Sequence, residues 1–284
     1  MAGKTLRQNP VYQRRLLMND LAMVFAVAMM ALGLIWLIWV LATLIYFGIG
    51  GVGLDTFTKM TPAVGMEGGL LNAIVGSAII TTAGIALGTP IGILAGTYLA
   101  EYGRGWFSWA TGFISSVLLS APSIVVGLFV YAIYVHRVRH FSGWSGAVAL
   151  AIILLPVVVT TTADMLRLTP QSLREAAAAL GAPKWKIVVS VVYPAARRGI
   201  LTGVMLGGAR ILGESAPLLF TAMNNQFWSL DMNQPMANLP IVIFQFAMSP
   251  YENLHELAWA AALLITFAVL GLNILARSLV TIKR

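Results

Sequence analysis

The sequence contains no cysteine, which excludes disulfides, thiolate metal sites and cysteine nucleophiles. It is also poor in charge: 10% of its 284 residues are Asp, Glu, Lys or Arg, against about 25% in an ordinary soluble domain. A phosphate-binding Walker A loop is missing. Gly3-Lys4-Thr5 mimics the last three residues of one, but no glycine and no strand precede it. There is no HExxH run, no nucleophile elbow and no pair of catalytic carboxylates, which argues against a membrane hydrolase. Histidines number three. His136 and His140 have the spacing of helical metal ligands, but two arginines lie between them and no acid is near; His255 stands alone. The expectation is therefore no catalytic residue, no metal and no cofactor in this chain.

What is present is apolar. Hydrophobic residues make up 59% of the chain and the mean hydropathy is +0.85. No soluble fold could keep that much apolar surface from water. A bilayer core is about 30 Å thick and a helix rises about 1.5 Å per residue, so roughly 20 mainly apolar residues suffice to cross. Runs at 21–47, 70–99, 107–135, 144–163, 199–222 and 258–280 qualify. The reading is an all-α polytopic membrane protein with a short tail over 1–20 and a transmembrane domain over 21–284. The first run is too long for a signal-peptide core and lacks a small-x-small site after it, so it reads as a retained anchor.

Charge orients these spans. With the N-terminus in the cytoplasm, fourteen basic residues fall inside and three outside: Lys4, Arg7, Arg14, Arg15, Arg104, Arg167, Arg174, Lys184, Lys186, Arg197, Arg198, Arg277, Lys283 and Arg284 against Lys59, Arg137 and Arg139. Both termini are expected in the cytoplasm, in a cytoplasmic membrane. The basic run His136-Arg137-Val138-Arg139-His140 is the one discordant loop.

Gly84, Gly88, Gly92 and Gly96 recur every four residues in the second span, a stripe suited to close approach of another helix. Pro90, Pro122 and Pro156 interrupt three spans; they read either as ordinary kinks in a packed bundle or as kinks lining a cavity. On the outer side, 223–257 is the longest loop, with Asp231, Glu252 and Glu256. Its apolar portion 240–248 is too short to span and reads as interfacial or re-entrant; the loop could meet an extracytoplasmic partner or cover the bundle as a lid.

The loop 164–198 is the most informative stretch. Thr169 suits an N-cap, Pro170 the first helical position, and Leu173, Ala176, Ala177 and Leu180 follow at helical spacing before Gly181. A second short helix is expected from Pro183 to Pro194. Two short alanine-rich helices on the cytoplasmic side could dock into a groove on another protein.

Glu175-Ala176-Ala177, Gly181 six residues after the Glu, and Val191-x-Tyr193-Pro194 resemble the EAA signature of ABC-importer permeases, with Val191 and Tyr193 in place of the usual Ile and Leu. More particularly, Gly208-Ala209-Arg210-Ile211-Leu212-Gly213-Glu214 through Ala222, Asn225-Gln226-Phe227-Trp228-Ser229, Leu87 through Gly92, Tyr98 through Tyr102, and Leu155 through Val159 are similar to the PstA-type permeases of phosphate importers. The resemblance implies a type I importer fold and a coupling loop, with Glu175, Ala176, Ala177, Gly181 and Pro194, that fits a cytoplasmic ATPase. It implies as partners a PstC-type permease, a PstB-type ATPase dimer supplying ATP and Mg²⁺ chemistry, and an extracytoplasmic PstS-type phosphate-binding protein. Some members carry a basic residue where Thr160 stands here.

Arg210 and Glu214 are the charged residues well inside an expected span, and a central Arg costs roughly 2.5 to 3.5 kcal/mol on insertion scales. Gly203, Gly207, Arg210, Glu214, Pro217 and Thr221 step by four or three, so a continuous helix would place them on one face. Arg210, Glu214 and Thr221 are thus candidates for a substrate path, with Arg offering a planar fork that matches an oxyanion. The alternative is a structural Arg210–Glu214 pair. Import of an anion against a negative interior needs an energy source, which on this reading is a partner's ATP hydrolysis. The rival functions are a permease for sulfate or molybdate, an ion-coupled transporter or channel, and a membrane enzyme.

Overall fold

The computed structural model describes residues 9–281, so Lys4, Arg7, Lys283, Arg284 and the Gly3-Lys4-Thr5 run lie outside the described residues. Among the described residues there is no strand. Five helices are long and apolar enough to cross a membrane, or six if one bent pair counts as a single span. The chain divides into two units, Met1–Phe47 and Gly48–Arg284.

The first unit consists, as described, of helix α1, Pro10–Gly51, up to residue 47. Asn9 Oδ1 accepts from Val11 N at 3.0 Å, and Pro10 occupies the first helical position, where its missing N–H costs nothing. The tail expected over 1–20 is thus helical from Pro10 onward. At about 1.5 Å per residue, α1 is roughly twice as long as a hydrocarbon core is thick, and apolar residues occupy every face of it, with no polar stripe, as in a membrane span.

The second unit contains the last turn of α1, then α2 (Leu54–Thr58), α3 (Leu71–Thr97), α4 (Gly105–Ser120) and α5 (Ser123–Val130). It continues with α6 (Gly143–Arg167), α7 (Gln171–Ala179), α8 (Tyr193–Leu212), α9 (Ala216–Leu219), α10 (Leu239–Ala247) and α11 (Glu252–Thr281). A π turn, Tyr98–Tyr102, extends α3.

The three prolines behave differently. Pro90 and Pro156 remain inside α3 and α6, whereas at Pro122 the third expected span breaks, and its two halves meet at 107°. The residue before a proline is driven out of the α region, and Ala121 is extended at φ −67°, ψ 133°.

Packing centres on α3 against α6. The glycine stripe of α3 faces α6: a Cβ on Gly84 would lie 3.1 Å from Leu150 Cβ, one on Gly88 3.0 Å from the Ala151 carbonyl, one on Gly92 2.7 Å from Val158 Cβ, and one on Gly96 2.7 Å from Thr162 Cβ. Each absent side chain lets the backbones meet. Ile80, Leu150, Leu154, Val158 and Ile211 form the core that joins α3, α6 and α8. A second cluster joins α3, α10 and α11 through Ala73, Val242, Phe246 and Leu257.

The piece 240–248, expected to be interfacial or re-entrant, is α10, a helix whose Leu239, Pro240, Ile241, Val242 and Phe246 are buried. The fully buried Asn238 caps it, Oδ1 accepting from Ile241 N at 3.1 Å and Nδ2 donating to Met223 O at 3.0 Å. That face of α10 packs into the protein, against the interfacial alternative and compatible with the re-entrant one.

Hydrogen bonds mark two ends of this unit. One end holds Arg174 against Glu101 and Thr97 against Tyr193. The other holds Thr61 against Asn72, Asn72 against Asn225, and the first turn of α6 against 221–234. There the orphan N–H groups of a helix start find partners: Ser142 N, Gly143 N and Trp144 N donate to the carbonyls of Thr221, Gln234 and Met232 at 3.1, 3.0 and 3.0 Å. The basic run 136–140 directly precedes Ser142, at the end opposite Arg174.

Candidate functional site

The loop 168–187 forms the first candidate site. Helix α7 starts at Gln171 with Pro170 as its cap and no side-chain cap bond, so the N-cap role expected of Thr169 is not taken; Thr169 is buried and its carbonyl accepts from Arg174 Nη1 at 2.5 Å. Gly181 follows the helix with φ +77°, the left-handed position that favours glycine after a helix. The separate second helix expected over 183–194 is not separate. An α turn Lys184–Ile187 and a π turn Val188–Val192 run without a break into α8, so one helix spans Lys184–Leu212. Pro194, which lacks an N–H, lies just after that π turn, where the regular bonding is already interrupted.

Burial sorts the motif residues. Ala177 packs on the cluster of Leu166, Ile187, Val192, Ala196 and Ile200. Glu175 and Ala176 are exposed, as are the apolar Leu168, Leu173, Leu180 and Trp185. The outer face of the loop thus offers a short helix with small residues, a free carboxylate and flanking large apolar side chains. That combination suits a protein partner rather than water. A cavity of about 590 Å³ beside it is lined by Glu101, Arg167, Arg174, Lys184 and their neighbours, and Glu175 borders it.

Residues outside the expected set hold the loop in place. Arg174 Nη2 donates to Glu101 Oε1 at 2.7 Å and to Leu166 O at 2.7 Å. Its side chain is 17% exposed and that of Glu101 8%. Lys184 Nζ donates to Glu101 O and lies 4.6 Å from the centre of the Tyr102 ring. A glutamate at a helix C-terminus is opposed by the helix dipole, and the last carbonyls there lack partners; the two cations answer both. Removing one member of a buried pair costs roughly 3 to 5 kcal/mol. The charge pattern in the sequence contained Arg174 and Lys184 only as members of a basic loop, and nothing local linked them to Glu101.

The second candidate site is the end of α8. The continuous helix expected through Thr221 stops at Leu212; Gly213, Glu214 and Ser215 intervene before α9. The six-residue face is therefore not formed. Gly203 and Gly207 are buried toward Thr161 and Leu154 of α6, while Arg210 is exposed and Glu214 half-buried. No side-chain hydrogen bond or ion pair joins Arg210 to Glu214. Arg210 stands in the last turn of α8, where a cation is favoured by the helix dipole. Thr221 is 0% exposed; its hydroxyl donates to Pro217 O at 2.8 Å and its carbonyl accepts from Ser145 Oγ at 2.9 Å. Pro217 lies against Gly127 of α5, so α9 is wedged at the bent span. Thr160 bonds its own helix, Oγ1 donating to Pro156 O at 2.9 Å.

Two solved structures share this architecture. A chain of a bacterial ABC transporter involved in the import of the acidic polysaccharide alginate superposes with a TM-score of 0.66 at 13% identity, covering 95% of this chain and all (100%) of that one. An inward-facing MetNI methionine ABC transporter chain gives 0.58 at 17% identity, covering 75% and 94%. At those identities the likeness is one of fold, and the fold is that of an ABC-importer permease.

Residues 88–282 match the family described as binding-protein-dependent transport system inner membrane component, and this chain belongs to it. It is 58% identical to the phosphate transport system permease protein PstA of Pasteurella multocida (strain Pm70), over 95% of this chain and 96% of that protein. Against the protein of the same name from Haemophilus influenzae the identity is 55%, over 95% and 96%. Against that from Yersinia pestis it is 54%, over 94% and 91%.

Proposed function

We propose that this chain is the membrane-spanning permease subunit of an ATP-driven importer of inorganic phosphate in the cytoplasmic membrane. The observation that carries the reading is its similarity, along nearly its whole length, to permeases named for phosphate transport. The exposed α7 supports it as the element that docks into an ATPase subunit, Glu175, Ala176 and Ala177 forming the contact and Gly181 the turn that ends it. ATP and Mg²⁺ act in that partner, a PstB-type dimer. A homologous PstC-type permease completes the pore, and a PstS-type binding protein delivers phosphate to the end of the bundle opposite α7. Both termini lie in the cytoplasm.

Within the bundle, Arg210 is the residue we assign to the anion. Its guanidinium presents five donors in a planar fork, and among the described residues no carboxylate engages it. Glu214 follows it at the helix break, and Thr221 holds α9 and the start of α6 together rather than offering its hydroxyl to a path. The test is uptake of radiolabelled phosphate by proteoliposomes holding the complete complex, with sulfate and molybdate as competitors. Competition by sulfate or molybdate as strong as that by phosphate itself would reassign the cargo, and purification without any ATPase would reassign the class.

A further inference from the structure

Glu101 joins more elements than any motif residue. Its carboxylate meets Arg174 of α7 at 2.7 Å, and the same guanidinium reaches back to Leu166 O in the last turn of α6 and to Thr169 O just beyond it. Its backbone carbonyl accepts from Lys184, the first residue of the helix that becomes α8. Glu101 itself lies in the π turn that ends α3. The docking helix and the ends of three spans therefore converge on one residue, and the carboxylate at the centre is almost wholly buried.

From that geometry we propose that Glu101 is a positioning residue for energy coupling: with Arg174 and Lys184 it makes α7 and the ends of α3, α6 and α8 move as one body. The physical reason lies in what the rest of α7 touches. Its outward face, Glu175 and Ala176, is exposed, and Ala177 is its inward apolar contact with the cluster beneath. A nine-residue helix held by so little apolar surface would shift on its own when pushed. The Arg174–Glu101 bond is the polar link from it to α3, and the glycine-lined contact of α3 with α6 is too close for the two helices to slide past one another. Displacement of α7 by a partner is therefore carried into the bundle through Glu101. The inference rests on the proposed docking of α7 to an ATPase.

The test uses the complete complex in proteoliposomes and reads three quantities: assembled complex, ATP hydrolysed, and phosphate imported. In Glu101→Gln the complex assembles, and ATP hydrolysed per phosphate imported rises roughly tenfold or more, the scale on which a misplaced positioning group acts. Because the chain has no cysteine of its own, Glu101→Cys with Arg174→Cys can be bridged by a cleavable bifunctional thiol reagent, in a complex whose partners lack accessible cysteines. Bridging lowers the ratio again, and cleaving the bridge raises it. An unchanged ratio in Glu101→Gln overturns the proposal. So does a fall of uptake in step with assembled complex, which assigns the pair to folding alone, or a ratio that bridging does not lower. If the unaltered chain brings down no ATPase, it is the proposed function that fails, whatever Glu101 does.

Discussion

The hydroxyls of Tyr193 and Thr97 lie 2.8 Å apart, a hydrogen bond across ninety-six positions of sequence that ties the last motif residue before Pro194 to the end of α3. Where the EAA signature usually has Leu, this chain has a polar tip on an aromatic ring, and the tip is used. Tyr193→Leu should destabilise the chain by about 0.5 to 1.5 kcal/mol through loss of that bond. Thr97→Val removes it too, together with the Thr97 bond to Ile93 O. A double-mutant cycle on the chain in detergent micelles should return a coupling energy of about 1 kcal/mol; strictly additive effects would show that the bond contributes nothing.

The glycine stripe makes a contrast within one chain. Gly96→Ala places a methyl 2.7 Å from Thr162 Cβ, an overpacking that should cost about 1 to 3 kcal/mol. Gly112, in α4, has no atom within 4 Å of where its Cβ would stand, so Gly112→Ala should be neutral or stabilising by about 0.5 to 1 kcal/mol. Thermal unfolding of the isolated chain in micelles measures both. Equal effects at the two positions would contradict the close contact of α3 with α6.

Gly181 is required by conformation and not by crowding. Its φ is +77° and a Cβ there would meet nothing within 4 Å. Gly181→Ala should cost roughly 1 to 2 kcal/mol of local stability, and Gly181→Asn less, because Asn tolerates the left-handed region. ATPase-coupled uptake should therefore fall in the order Gly, Asn, Ala. Uptake that is the same for all three would remove the turn from the coupling element.

Among the described residues Arg210 has no carboxylate partner, so Arg210→Gln strands no buried acid there. The complex should assemble in normal yield while phosphate uptake drops by roughly two orders of magnitude, as for loss of a positioned charge. Arg210→Lys should be intermediate, since a point charge remains without the bidentate fork. Adding Glu214→Gln should restore nothing. Recovery of uptake in the double variant would revive a structural pair and end the path role of Arg210.

The spans were legible because crossing a bilayer demands long apolar runs, and such runs need no partner to be recognised. Their limits were less so. The ten residues before Asp20 include Gln13, Arg14 and Arg15, which hide a helix from hydropathy although α1 runs through them. The helix expected from Pro183 was read as separate from the span because Lys184, Lys186, Arg197 and Arg198 interrupt the hydropathy, although one helix runs through Lys184–Leu212. At the loop 164–198, the helix and its terminal glycine could be read from spacing, because helix period and the left-handed turn are local. The partner of Arg174 could not, since Glu101 lies seventy-three residues away.

By itself the sequence determined the all-helical membrane class, the alanine-rich loop with its Gly181 turn, and the glycine stripe, because hydropathy, helix period and backbone conformation act over a few residues. Tertiary structure decided which proline breaks a span, Pro122 and not Pro90 or Pro156. It decided that α8 ends at Leu212, separating Arg210 from Glu214 and burying Thr221. It also decided that Glu101 receives Arg174 and Lys184. The physical reason is common to all three: a freed backbone group or a buried charge is tolerated only where another segment meets it, and which segment arrives is settled by packing across the whole bundle.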